Sequence, residues 1–167
     1  LRLEARGEAY YLYQNVGAAP RFMFTSDVEA VVDGAAAFDA IRSERFDPQR
    51  TAVVEVAGSS SSSTPQHGSV SLVSYRPNEV VVDVEAPASG VLVYNDAFHA
   101  GWSASVAGTE RPIVRTNYLF KGVALDAGQH RVRFTYRPPG LGVGLMLSVA
   151  GAVIGLMLLT VGRRRIG

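Results

Sequence analysis

The sequence predicts a mainly β protein: an antiparallel β-sandwich of about seven strands, with a small N-terminal α/β segment and a C-terminal transmembrane helix. Three observations predict it. Apolar and polar residues alternate with period two in "EVVVDVEA", 79–86, and "QHRVRFTYR", 129–137, as in a sheet with one buried and one wet face. Turn signals recur at short spacing between 76 and 128: RPN, PASG, HAG, AGTE, TNY and DAG. Finally, "LGVGLMLSVAGAVIGLMLLTVG", 141–162, carries no charged residue across 22 positions.

Residues 1–57 form the α/β segment. "EAYYLYQN" and "RFMFTSDVEAVVD" have strand composition and are separated by a loop over 17–20. "GAAAFDAIRSERF" suits a short helix with Asp33 as its N-cap and Ala37, Phe38 and Ile41 on one side. "TAVVEV", 51–56, is another strand. Residues 58–68, "GSSSSSTPQHG", have the composition of a linker or loop tip.

Residues 69–137 are the sandwich. Val80, Val82 and Val84 share one face and Glu79, Asp83 and Glu85 the other; Val132, Phe134 and Tyr136 likewise alternate with Arg131, Arg133, Thr135 and Arg137. In "GWSASVAG", Trp102 is in phase with Ala104 and Val106, which favours an anchor in the core over an exposed platform for a sugar ring. Asn95, Asp96 and His99 then fall in the turn before it.

At 1.5 Å per residue, 141–162 makes a helix about 33 Å long, enough for a hydrocarbon core of about 30 Å. Residues 163–167 follow with Arg163-Arg164-Arg165, which places the C-terminus in the cytoplasm and the bulk of the chain outside a bacterial membrane. The chain begins at Leu1 without a signal-like run, so further spans are expected upstream.

A net charge of +1 argues against nucleic acid as a partner. The absence of cysteine removes disulfides and thiolate chemistry. Lys121 is the only lysine, and the arginine excess points to a GC-rich coding sequence more than to a function. His67, His99 and His130 have no zinc spacing, so neither a metal nor a cofactor is expected. "GWSAS" fails G-x-S-x-G at Ser105, and "GLGVG", 140–144, lacks the third glycine and βαβ setting of a dinucleotide site. No catalytic residue emerges. Arg131, Arg133 and Arg137 are candidates for lipid headgroups or a lipid-linked phosphate; pairing with Glu79, Asp83 and Glu85 across the sheet is the competing reading. Asn95, Asp96, His99, Asn117 and Tyr118 are the candidate ligand contacts.

Residues 91–140 resemble the C-terminal end of the YfhO family of large bacterial membrane proteins. The matches are Asp96, Gly101, Trp102, Ala104, Val106 and Gly108, then Asn117, Phe120, Gly122 and Val123. Gly128, His130, Val132, Phe134, Tyr136 and Pro138 complete them. Tyr13, Asn15, Pro20 and Arg21 fit an earlier segment of that family. Ala100 stands where the family has proline, and Ala107 where it has the aspartate of an Asp-Gly turn. The family is similar to polytopic glycosyltransferases of the GT-C type, which use polyprenyl-phosphate sugars outside the membrane and keep their catalytic carboxylate in an early exterior loop. The resemblance therefore implies a non-catalytic exterior domain and final span of such an enzyme in cell-envelope glycan assembly. Its partners would be the lipid bilayer and, through the parent protein, a glycan or lipid-linked sugar. A carbohydrate-binding module and a purely structural domain are the alternatives.

Overall fold

A computed structural model describes residues 1–56 and 65–163, without the side chains of 158–163. Two elements stand first and apart: β1 (Arg2–Arg6) and β2 (Tyr11–Gln14) pair as an antiparallel hairpin. Every residue of both strands is exposed.

The remaining strands form one sheet. They are β3 (Phe22–Thr25), β4 (Val28–Val31), β5 (Ala52–Glu55), β6 (His67–Arg76) and β7 (Glu79–Ala86), followed by β8 (Gly90–Ala97), β9 (Trp102–Val106), β10 (Thr109–Arg111), β11 (Val114–Thr116), β12 (Phe120–Leu125) and β13 (Gly128–Tyr136). The spatial order is β10-β9-β13-β7-β6-β3-β8-β12-β11-β5-β4. This corrects the expectation of about seven strands: among the described residues the sheet has 11, because β3, β4 and β5 of the N-terminal segment join it, with the short β10 added at one edge and the short β11 bridging β12 to β5. Alternation shows which residues face inward but not which strands become neighbours.

Within the sheet, every pairing is antiparallel except that of β4 with β5. The parallel pair is joined by α1 (Gly34–Arg42), as expected of an α/β unit. Asp33 caps α1, its Oδ1 accepting from Ala36 N at 2.9 Å, and Ser43 ends it in an extended conformation. Ala37 is fully buried; Phe38 stays partly exposed against the Tyr118 ring.

The two halves of the sheet are joined where β3 meets β6, with Phe24 opposite Gly68 and Thr25 opposite His67. A Cβ on Gly68 would collide with the Glu85 carbonyl, and one on Gly90 with the Thr25 carbonyl. Glycine at these two points lets the backbones pass closely as the sheet curls. The halves then face each other across a core of Phe24, Val82, Leu92, Tyr94, Val123, Val132 and Phe134. A second cluster, Met23, Ala52, Val54, Val91 and Val93, lies apart from it.

Of the stretch 58–68, residues 58–64 fall outside the described residues, while His67 and Gly68 belong to β6 rather than to a loop. After β13, Pro138, Pro139 and Gly140 lead into α2 (Leu141–Arg163), whose residues 141–154 are exposed throughout. Among the described residues no helix is long and apolar enough to cross a membrane; the side chains that continue the apolar run beyond 157, and the basic tail 164–167, lie outside them.

Candidate functional site: a caged lysine at one end of the curled sheet

β12 alternates inward with Lys121, Val123 and Leu125, so the strand's own phase directs a lysine to the buried face. Its ammonium is fully buried. Nζ stands 4.2 Å from the centroid of Tyr94 and 4.4 Å from that of Trp102, gripped between two aromatic faces. It meets Asp96 Oδ2 at 3.2 Å and donates to the Ala97 carbonyl at 3.1 Å. A desolvated cation over one aromatic face is worth about 2 kcal/mol or more, and here two faces and a carboxylate converge.

Asp96 is 41% exposed and reaches the ammonium from the rim. Its Oδ1 accepts from Ala97 N at 2.8 Å. Burial pushes its carboxyl upward, but the Lys121 charge and hydrogen bond, with those of Tyr94 and Ala97, outweigh it and hold the group below the usual carboxylate range. Burial pulls Lys121 below the ordinary lysine range against the opposing charge of Asp96. Burial likewise raises the Tyr94 hydroxyl, helped by its bond to Tyr75 and the charge of Asp96.

The other expected ligand residues are placed as follows. Asn95 and Asp96 lie in β8, not in a turn. The strand continues past them because Asn95 N donates to the Arg21 carbonyl at 2.8 Å and Ala97 pairs with Phe120. Asn95 Nδ2 donates to the Pro20 carbonyl, so this side chain straps the chain entering β3. His99 is in the turn. Its Nδ1 accepts from Gly101 N at 3.1 Å, and its ring meets Tyr136 at 5.7 Å. Tyr136 in turn meets Trp102 at 5.3 Å. Trp102 is half-buried and packed against the core, with its outer edge on a cleft of about 400 Å³ that includes Arg111 and Ile113.

Asn117 and Tyr118 are not brought to this group. Asn117 has φ 47 and Tyr118 φ 69, a strained turn that Asn tolerates best. Asn117 Oδ1 accepts from Val53 N at 2.9 Å while its own N donates to Val53 O at 2.7 Å, so the side chain acts as a strand partner for β5. Tyr118 packs on Phe38 of α1, ring centroids 5.3 Å apart.

The arginines separate into two kinds. Arg131 makes two bonds of 2.7 Å to Asp83, which lies directly opposite it, and Arg133 reaches Glu79 at 3.1 Å. The Arg131 bond, opposed by slight burial and reinforced by its charge, holds the Asp83 carboxyl below its usual range. Arg137 stands beyond the end of β13, exposed and outside these pairs.

Sequence reasoning passed over Lys121. Its phase with Val123 and Leu125 was the available signal, and the identity of its aromatic partners was not, because Tyr94 and Trp102 come from different strands in opposite halves of the sheet. Among the described residues no group of three or more His, Asp and Glu side chains could hold a metal ion.

Comparison with known families matches residues 59–148 to the family described as bacterial membrane protein YfhO. No curated protein matches, and no solved structure does. The matched region runs from the residues before β6 through β13 into α2, taking in Asp96, Trp102 and Lys121 and more than half of the chain. The chain belongs to the YfhO family of bacterial membrane proteins.

Proposed function

We propose that the chain is the non-catalytic extracytoplasmic C-terminal domain and last span of a polytopic protein, a GT-C-like glycosyltransferase of cell-envelope glycan assembly. The observation that carries this reading is how the candidate groups are used. Asp96 is committed to Lys121 and Ala97 N, Asn117 to Val53, and Arg131 and Arg133 to carboxylates across the strand. Each of these four side chains holds neighbouring strands together instead of facing a reacting group. Family membership and the GT-C resemblance supply the setting, in which the chemistry belongs to other parts of the parent. α2, continued by the uncharged residues through Gly162, then spans the bilayer with its arginines on the cytoplasmic side.

The absence of native cysteine makes the topology directly testable. Single cysteines at Ser105 and Arg165 are treated in intact cells with a membrane-impermeant maleimide. Ser105→Cys is expected to label at once and Arg165→Cys only after permeabilisation. The reverse pattern, or labelling of both, refutes the arrangement. Saturable binding of a cell-wall glycan to the protein would instead support the carbohydrate-binding alternative.

A further inference from the structure

The end of the curled sheet from which α2 departs has a distinct composition. β13 reaches it with Tyr136 and Arg137, whose backbone N–H groups donate to Asn78 O at 2.9 Å and Gly101 O at 2.8 Å. The β6–β7 turn and the β8–β9 turn are therefore fastened to the last residues before α2. Arg76 pairs with Glu79, which is itself within reach of Thr135 across β7 and β13. At about 4.8 Å per strand, Arg76 lies about 10 Å from Thr135 on the same face, and Arg137 follows Thr135 in phase. Among the described residues neither Arg76 nor Arg137 has a carboxylate within ion-pair distance. The two carboxylates nearby, Glu79 and Asp96, are engaged by Arg133 and Lys121. Arg21 adds a third guanidinium, donating to Tyr75 Oη at 2.6 Å and lying over its ring. Behind them the rings of His99, Tyr136 and Trp102 form a continuous row back to Tyr94. Arginines backed by Tyr and Trp are the composition that sits at headgroup depth.

We infer that this end docks on anionic phospholipid headgroups through Arg21, Arg76 and Arg137, with Tyr136 and Trp102 at the interface. The inference rests on the reading that α2 lies in the bilayer. It differs from a general basic surface, because Arg131 and Arg133, higher on the same strand, are neutralised by Asp83 and Glu79.

Trp102, the only tryptophan, is the probe. The full chain is reconstituted into vesicles of one composition, phosphatidylcholine with a minority of phosphatidylglycerol, and bromine is placed on the acyl chains of one lipid or the other. Per molecule, brominated phosphatidylglycerol should quench Trp102 more than brominated phosphatidylcholine, by about fivefold, the preference that one arginine contact confers. The preference should disappear in Arg76→Gln/Arg137→Gln and persist in Arg131→Gln. Equal quenching by the two lipids in the wild type, or a preference that survives the double substitution, overturns the docking. Resistance of the vesicle-bound chain to carbonate extraction is scored in parallel. Extraction refutes the span and the docking together, whereas resistance with equal quenching refutes the docking alone.

Discussion

At residue scale, the Lys121 cage is asymmetric in a way that fixes the sign of two substitutions. Asp96 faces water on one side, while the ammonium has no route to solvent. Asp96→Asn leaves a buried cation with only ring faces and a carbonyl, and should cost about 3–5 kcal/mol. Lys121→Met keeps the stem between Tyr94 and Trp102 and frees a carboxylate that can turn outward, so its cost should be smaller, about 1–2 kcal/mol. Denaturant unfolding of the two variants checks the order. A costlier Lys121→Met would mean that the ring faces, and not the carboxylate, carry the cage. Trp102 was legible from its phase as a residue turned toward the core. Its partner was not, since a lone lysine in an arginine-rich chain carries no mark of burial beyond its place in the alternation.

At element scale, the β9–β10 turn shows what local chemistry predicts well. Ala107 and Gly108 occupy it with φ 49 and 85, the two positive values of a tight hairpin. Gly108 was expected there; Ala107 is strained, because a Cβ disfavours the left-handed region by about 1–2 kcal/mol. Ala107→Asn should therefore raise stability by about 1 kcal/mol, visible as a higher melting temperature. An unchanged or lower value would show that the turn relaxes without it. The cap of α1 and the strands β7 and β13 were equally legible, being set by residues adjacent in sequence. The sheet order was not. "RFMFTSDVEAVVD" looked like one strand, yet it divides at Ser26–Asp27, where Thr25 Oγ1 accepts from Asp27 N at 3.0 Å. Its two parts then pair with strands on opposite sides of the second half, β8 and β5. Of the candidate site, Asn95 and Asp96 were expected in the turn with His99, whereas both belong to β8 and only His99 lies in the turn. The contact of the Asn117 amide with Val53 was not legible, because it depends on β5 lying beside the turn.

For the whole molecule, the paired carboxylates set the response to acid. The folded values of Asp96 and Asp83 lie below the ordinary 3.8. Their contribution to stability is thus complete above about pH 4 and is lost as pH falls through the folded values. Lys121 acts at the other extreme. Its folded value lies below 10.5, so between the two values the unfolded chain binds more protons and stability rises with pH. Melting temperature should fall steeply below about pH 4, and Asp83→Asn should flatten that fall. A profile unaltered by this substitution would place the acid sensitivity elsewhere.

The seam at Phe24 and Gly68 also has a consequence in time. β6 with β7 and β9 with β10 are hairpins between neighbours in the chain. β3 must wait for β8, whose Tyr94 pairs with Phe22, and β5 must wait for β11, where Val54 meets Thr116. Closing such long loops comes late, after local pairs have formed. The N-terminal strands should therefore fold last although they are synthesised first. Pulse-labelled hydrogen exchange would show the amide of Val82, in the β6–β7 hairpin, protected before those of Met23 and Val53; simultaneous protection would mean that the seam closes with the nucleus. Until β8 and β11 emerge, the valines of 28–56 lack their strand partners, so that segment of the nascent chain waits with apolar residues uncovered.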